Sequence, residues 1–125
     1  MYTALVVDDE QELRQAIIES VDWEKAGFRV VGDAGNGIDA LELAEKLEPD
    51  LILTDIKMPM MTGLELAKQV RELRPATQVV ILSGYDDFGY AKAAIEYNII
   101  GYLLKPISAA ELSAELENIR QKMDK

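Results

Sequence analysis

Three apolar runs of this chain stop at charged residues, and the charges differ in sign. Leu51-Ile52-Leu53-Thr54 runs into Asp55, Leu5-Val6-Val7 into the pair Asp8-Asp9, and Tyr102-Leu103-Leu104 into Lys105-Pro106. A fourth run, Val79-Val80-Ile81-Leu82, ends at the neutral hydroxyl of Ser83. Ligands of open parallel sheets sit at the carboxyl ends of the strands. Acid, acid, hydroxyl and amine would therefore meet on one rim, a set suited to a divalent cation and a phosphoryl group. Carboxylates held that close repel one another, and a bound cation is the simplest relief. Oxygen donors without His or Cys favour a hard ion, and Mg²⁺ typically takes one or two carboxylates, several waters and phosphate oxygens. A fixed ammonium opposite it, Lys105, would help stabilise a phosphoryl group in in-line transfer. Taken singly, an Asp after a strand is often a helix cap, a Ser there a turn residue, and Lys-Pro an ordinary dipeptide. The combination carries the functional reading.

The elements that must position these residues alternate as βα units, the pattern of a parallel sheet. Strands are expected over residues 3–8, 28–32, 51–55, 79–83 and 100–104, without strict alternation, as for strands covered on both faces. The first helix is expected over residues 10–21, with Leu13, Ile17 and Val21 inward. The second follows Asn36-Gly37 with Leu41, Ala44 and Leu47 inward, and Pro49 ends it. The third opens at Thr62-Gly63-Leu64-Glu65, at capping-box spacing, with Leu66, Val70 and Leu73 facing the core, and Pro75 stops it. The fourth, over residues 88–97, shows a weaker stripe of Phe88, Ala91 and Ile95 among several alanines, which marks it as a candidate moving part. The fifth opens with a second capping box, Ser108 to Glu111, and carries Leu112, Leu116, Ile119 and Met123. Residues 22–27 read as an irregular turn, with Trp23 folded onto the surface.

Size and composition set outer bounds. The 125 residues make one domain with a core large enough to need no disulfide or structural metal. With no cysteine and no histidine, thiolate chemistry, zinc-thiolate sites and imidazole bases are excluded. A formal charge of -10, from 23 acidic and 13 basic residues, argues against direct nucleic-acid binding by this segment. No window approaches a membrane span, and no export signal precedes the first strand. A cytoplasmic protein with no membrane partner is expected.

The chain resembles the receiver domain of bacterial two-component response regulators over essentially its whole length. The resemblance rests on Val6-Val7-Asp8-Asp9-Glu10, Leu53-Thr54-Asp55-Ile56-Lys57-Met58-Pro59, Met61-Thr62-Gly63-Leu64-Glu65, Leu82-Ser83-Gly84 and Tyr102-Leu103-Leu104-Lys105-Pro106. It implies a flavodoxin-like (βα)5 sheet of strand order 2-1-3-4-5, with Asp55 accepting a phosphoryl group from a phosphohistidine on a sensor histidine kinase. Such a protein is a switch rather than an enzyme, catalysing only transfer onto its own Asp55. By the same resemblance Asp9 and Asp55 are direct Mg²⁺ ligands, Asp8 a ligand through water, and the Lys57 backbone carbonyl a third protein ligand. Ser83 and Lys105 would contact phosphoryl oxygens, Gly84 would leave room for the group to enter, and Tyr102 resembles the family's switch aromatic. The Lys105-Pro106 bond is expected to be cis.

Ser83-Gly84-Tyr85-Asp86-Asp87-Phe88 and the turn at Trp23 look most like receivers whose regulators carry an AraC-type helix-turn-helix output domain, absent from residues 1–125. Transcription control through such a domain is implied, with a stand-alone receiver acting by protein contact as the alternative. An aspartyl-phosphate phosphatase is disfavoured, because Lys57 stands where its general-acid Asp would be. Lys57 and Tyr85 offer neither a carboxylate nor an amide to orient an attacking water, so self-hydrolysis is expected to be slow. Phosphorylation-dependent homodimerisation through the fourth helix, fifth strand and fifth helix is a further expectation of the resemblance.

Overall fold

The computed structural model describes residues 1–84, 92, 96, 97 and 99–125. In chain order its elements are β1 (Tyr2–Val7), α1 (Gln11–Ser20), α2 (Trp23–Ala26), β2 (Phe28–Ala34), α3 (Gly37–Leu47), β3 (Leu51–Thr54), α4 (Gly63–Leu73), β4 (Gln78–Ser83), β5 (Gly101–Leu104) and α5 (Ala109–Met123). The five strands are all parallel in the order β2-β1-β3-β4-β5, as expected. The helix expected over residues 88–97, with Phe88, Ala91 and Ile95, lies outside the described residues apart from 92, 96 and 97.

Successive residues of a strand point to opposite faces of its sheet, and here both faces are covered. Ala4, Val6, Leu51, Leu53, Val80 and Leu82 join one buried cluster with Ile17 of α1, the α2 segment, and Leu112, Leu116 and Ile119 of α5. Their neighbours Leu5, Val7, Ile52, Val79 and Ile81 join the other, with Ala40 and Ala44 of α3 and Leu66, Ala67 and Val70 of α4. Continuous apolar runs in the strands follow from this double burial.

Two core assignments are corrected. Leu47 and Leu73, expected on inward faces, are 41% and 54% exposed. Each lies at the last residue of its helix, while Ala40 and Ala44 in α3 and Leu66, Ala67 and Val70 in α4 make the contacts with the sheet. The caps are partly as expected. Ser108 and Glu111 form a reciprocal capping box at α5, whereas at α4 Thr62 accepts from the Glu65 backbone and bonds its carboxylate instead of completing the box.

The segment read as an irregular surface turn is a helical turn that buries Trp23 and Ala26 while Asp22, Glu24 and Lys25 stay exposed. Asp22 caps α2 by accepting from the Lys25 backbone at 3.2 Å, and Gly27 closes it at φ 98°, a left-handed conformation that glycine adopts at little cost. Trp23 is 6% exposed, packs edge-on to Phe28 with ring centroids 6.4 Å apart, and donates its indole N–H to the Ile17 carbonyl at 3.2 Å. A lone aromatic in a polar stretch gave no periodic signal of burial, because α2 is shorter than two turns. Truncating so large a buried side chain leaves a cavity. Trp23→Ala is expected to lower the unfolding free energy by about 3–5 kcal/mol, read from urea denaturation followed by circular dichroism. An unchanged midpoint would contradict the burial.

Candidate functional site

Backbone pairing sets where the site residues stand. Val7 pairs with Thr54 and Thr54 with Ile81, so β1 and β3 end level at this edge, while β4 runs two residues further to Ser83, which pairs with Leu104. Hydrogen bonds continue the ladder past the strand ends: Asp55 N–H donates to Val7 at 3.1 Å, Asp8 N–H to Ala34 at 3.1 Å, and Lys105 N–H to Ser83 at 2.9 Å. Asp8, Asp55 and Lys105 thus occupy the first positions beyond β1, β3 and β5, on one rim.

β5 lies two strands from β3, a span of roughly 10 Å at ~4.8 Å per strand. A long side chain is needed to cross it. Lys105 does so, its Nζ donating to Asp55 Oδ2 at 3.0 Å and to Asp8 Oδ2 at 3.1 Å. Both carboxylates are buried, at 8% and 2% exposure. Burial opposes the charge on Lys105, but its hydrogen bond to Asp55 and the charge and hydrogen bond of Asp8 outweigh that, holding its pKa above the ordinary value.

The remaining carboxylate atoms are also held. Asp55 Oδ1 accepts from the Ile56 N–H at 2.7 Å, and Asp8 Oδ1 from the Glu10 N–H at 2.9 Å. Behind Asp55, the Thr54 hydroxyl donates to the Asp55 carbonyl at 2.9 Å. Gly63 packs so closely on that carbonyl that a Cβ would overlap it, and its N–H donates to Ile56 at 2.7 Å. The start of α4 is thereby docked directly under the candidate acceptor.

The other sequence-expected residues fall around this centre. Asp9 is exposed beside Asp8, Ser83 is fully buried at the end of β4, and Gly84 after it is exposed. A Cβ at Gly84 would meet no described atom within 4 Å. Lys57 has an exposed side chain two residues past Asp55, and Tyr102 is half-buried in β5 against the α3 and α4 side of the core. The Lys105-Pro106 peptide is cis, as expected. Tyr85, invoked for hydrolysis, and Asp86, Asp87 and Phe88 lie outside the described residues.

One acidic residue was passed over. Asp8, Asp9 and Glu10 each offer a carboxylate oxygen, and these lie within 4.8 Å of one another. Glu10 closes the motif of residues 6–10 and opens the expected first helix without a metal role there, and it is the N-cap of α1 without a side-chain capping bond. Its signal in the sequence was adjacency to the acidic pair. An all-oxygen donor set of this kind fits a hard divalent cation.

Residues 4–117 match the family model of the response regulator receiver domain. The chain is 40% identical over 119 residues to the uncharacterized transcriptional regulatory protein YesN of Bacillus subtilis, covering 95% of this chain and 32% of that protein. It is 36% identical over 116 residues to the transcriptional regulatory protein HptR of Staphylococcus aureus, covering 93% of this chain and 45% of that one. The chain therefore spans less than half the length of these curated relatives. Among solved structures, it superposes on the REC domain of AraT, a response regulator from Geobacillus stearothermophilus, with a TM-score of 0.84 and 37% identity over 99% of this chain and 98% of that one. A two component transcriptional regulator AraC from Clostridium phytofermentans gives 0.87 and 36%, over 98% and 95%. Strand order, strand-end chemistry and likeness along nearly the whole chain lead to one conclusion: this protein belongs to the response regulator receiver domain family.

Proposed function

We propose that this domain is a phosphorylation-controlled switch that accepts a phosphoryl group on Asp55 from a phosphohistidine of a sensor histidine kinase. The observation that carries this reading is the Lys105 ammonium held at 3.0 Å from Asp55 and 3.1 Å from Asp8. It leaves a carboxylate at a strand end next to a cation that can follow charge onto a phosphoryl oxygen. In the transfer, an Asp55 carboxylate oxygen forms a bond to phosphorus as the bond to the histidine nitrogen breaks, and the nitrogen keeps the electron pair. Lys105 exchanges its Asp55 contact for a phosphoryl oxygen, and the Ser83 hydroxyl donates to another.

Mg²⁺ is the cofactor that suits the acidic rim, held by Asp9, Asp55 and the Lys57 carbonyl, with Asp8 acting through water and Glu10 beside them. When bound it supplies positive charge to the phosphoryl oxygens in the transition state. Its affinity should be weak, since a hard ion that keeps several waters gains little from a protein cage. Gly84, where a Cβ would meet no described atom within 4 Å, serves as the phosphoryl entrance.

The output is transcription control by a DNA-binding domain outside residues 1–125, in a cytoplasmic regulator. Relatives named as transcriptional regulators, of which this chain matches only part, support that reading. No helix among the described residues is long and apolar enough to cross a membrane, and a charge of -10 disfavours nucleic-acid contact by this segment. Phosphorylation biases a two-state surface through Ser83 and Tyr102, read by a partner or a second copy along β5 and α5.

Incubation with Mg²⁺ and a small-molecule phosphodonor should add one phosphoryl group, read by intact mass, and a chelator should stop the reaction. Asp55→Asn should abolish labelling; stoichiometric labelling of that variant elsewhere would sink the assignment. Ser83→Ala should accept the group yet respond less, so a beryllofluoride phosphoryl mimic should shift the Tyr102 and β5 amides less than in wild type. Equal shifts would show that the switch does not run through this hydroxyl.

Lys105 also links stability to pH. A folded pKa above the ordinary 10.5 means that its contribution is complete below that pH and is lost as pH rises through the folded value. Lys105→Met should therefore flatten the alkaline end of the stability curve. At neutral pH it should cost about 2–3 kcal/mol, because two buried carboxylates lose their shared cation. An unaltered alkaline limb in chemical denaturation would argue against that role.

A further inference from the structure

Arg14 lies on α1, outside every role assigned so far, yet its side chain is only 13% exposed. Its Nε donates to Asp33 Oδ2 at 2.7 Å, near the end of β2, and its Nη1 donates to the backbone carbonyl of Asp8, also at 2.7 Å. One planar guanidinium thus ties the end of β2 to the residue leaving β1. With that bond, all four polar atoms of Asp8 have partners. Its N–H donates to Ala34, Oδ1 accepts from Glu10, Oδ2 accepts from Lys105, and its carbonyl accepts from Arg14. Gly35 leaves room for this grip, since a Cβ there would stand 3.2 Å from Arg14 Nη1.

We propose that Arg14 is a positioning residue: anchored on Asp33, it grips the Asp8 carbonyl and fixes the turn between β1 and α1, so that the Asp8 and Asp9 carboxylates face a divalent cation together. The planar fork of arginine presents separate N–H donors to the carboxylate and the carbonyl at a fixed angle, whereas a lysine ammonium would have to reach both from one point on a flexible stem. The inference rests on the metal-dependent reading above. Its effect has a sign opposite to that of simple charge. Removing a cation near a Mg²⁺ site should tighten binding if Arg14 acts only through its field, whereas loss of positioning should weaken it. Partners that orient metal ligands from behind are typically worth 10–100-fold in metal affinity.

The test titrates isotope-labelled wild type, Arg14→Gln and Arg14→Lys with MgCl2, without phosphodonor, following the amides of Asp9 and Glu10 by NMR, with a thermal melt of each protein alongside. Both variants should bind Mg²⁺ about tenfold more weakly or worse, and the Glu10 amide should exchange faster with solvent. Arg14→Lys keeps the charge and most of the stem, so it decides the matter if Arg14→Gln does not fold. Unchanged affinity in Arg14→Lys, or tighter binding in Arg14→Gln, overturns the proposal while leaving the metal site intact. A wild-type protein whose Asp9 and Glu10 amides ignore Mg²⁺ overturns the metal-dependent reading, and this inference with it.

Discussion

The Lys105 ammonium between Asp8 and Asp55 is the interaction on which the rest of this molecule depends. Two carboxylates that are 2% and 8% exposed are costly to keep charged side by side in a protein interior, and a shared cation offsets that cost. Lys105 supplies that cation from the far side of the sheet, which ties the end of β5 to the ends of β1 and β3. Structural necessity and chemical opportunity coincide at this point. The contact that makes the acidic rim tolerable is also the one a phosphoryl group would draw upon.

Parallel pairing is what makes such a rim available. Each strand of a parallel sheet ends on the same edge, and three of the four ladders here continue one residue further, through Asp55 to Val7, Asp8 to Ala34 and Lys105 to Ser83. Backbone hydrogen bonds thus bring the charged residues to one edge, where the Lys105 contact makes their burial tolerable. Gly63 extends the same logic to α4, whose first residue sits against the Asp55 carbonyl where no side chain would fit. Displacement of Asp55 would be felt at once by that helix, which gives the candidate acceptor a mechanical connection as well as an electrostatic one.

Within the rim the acidic residues differ in freedom. Asp8 is bonded at every polar atom, whereas Asp9 and Glu10 are exposed to water. A fixed carboxylate beside exposed ones suits a hard ion that keeps several waters. Arg14 and Asp33 supply the stiffness behind the fixed member.

The sequence by itself determined the fold class, the strand order implied by its motifs, and Asp8, Asp55, Ser83 and Lys105 as strand-end residues. The strand order came from the family resemblance, whereas the strand ends were legible because their signal is local: an apolar run of strand length, followed by a polar residue, marks both the element and the end at which chemistry is delivered. Only the tertiary structure decided which residues around that frame matter. Trp23 read as a surface residue because its burial comes from Phe28 and the Ile17 carbonyl, not from any periodicity of its own. Leu47 and Leu73 fitted their helical stripes yet lie exposed, because an apolar stripe does not say which helix turns face the sheet. Arg14 looked like any polar residue of an amphipathic helix, since its partners Asp33 and the Asp8 carbonyl are separated from it by 19 and 6 positions. Contacts between such distant positions form only when β1, β2 and α1 are packed together, and a one-dimensional pattern carries no trace of them.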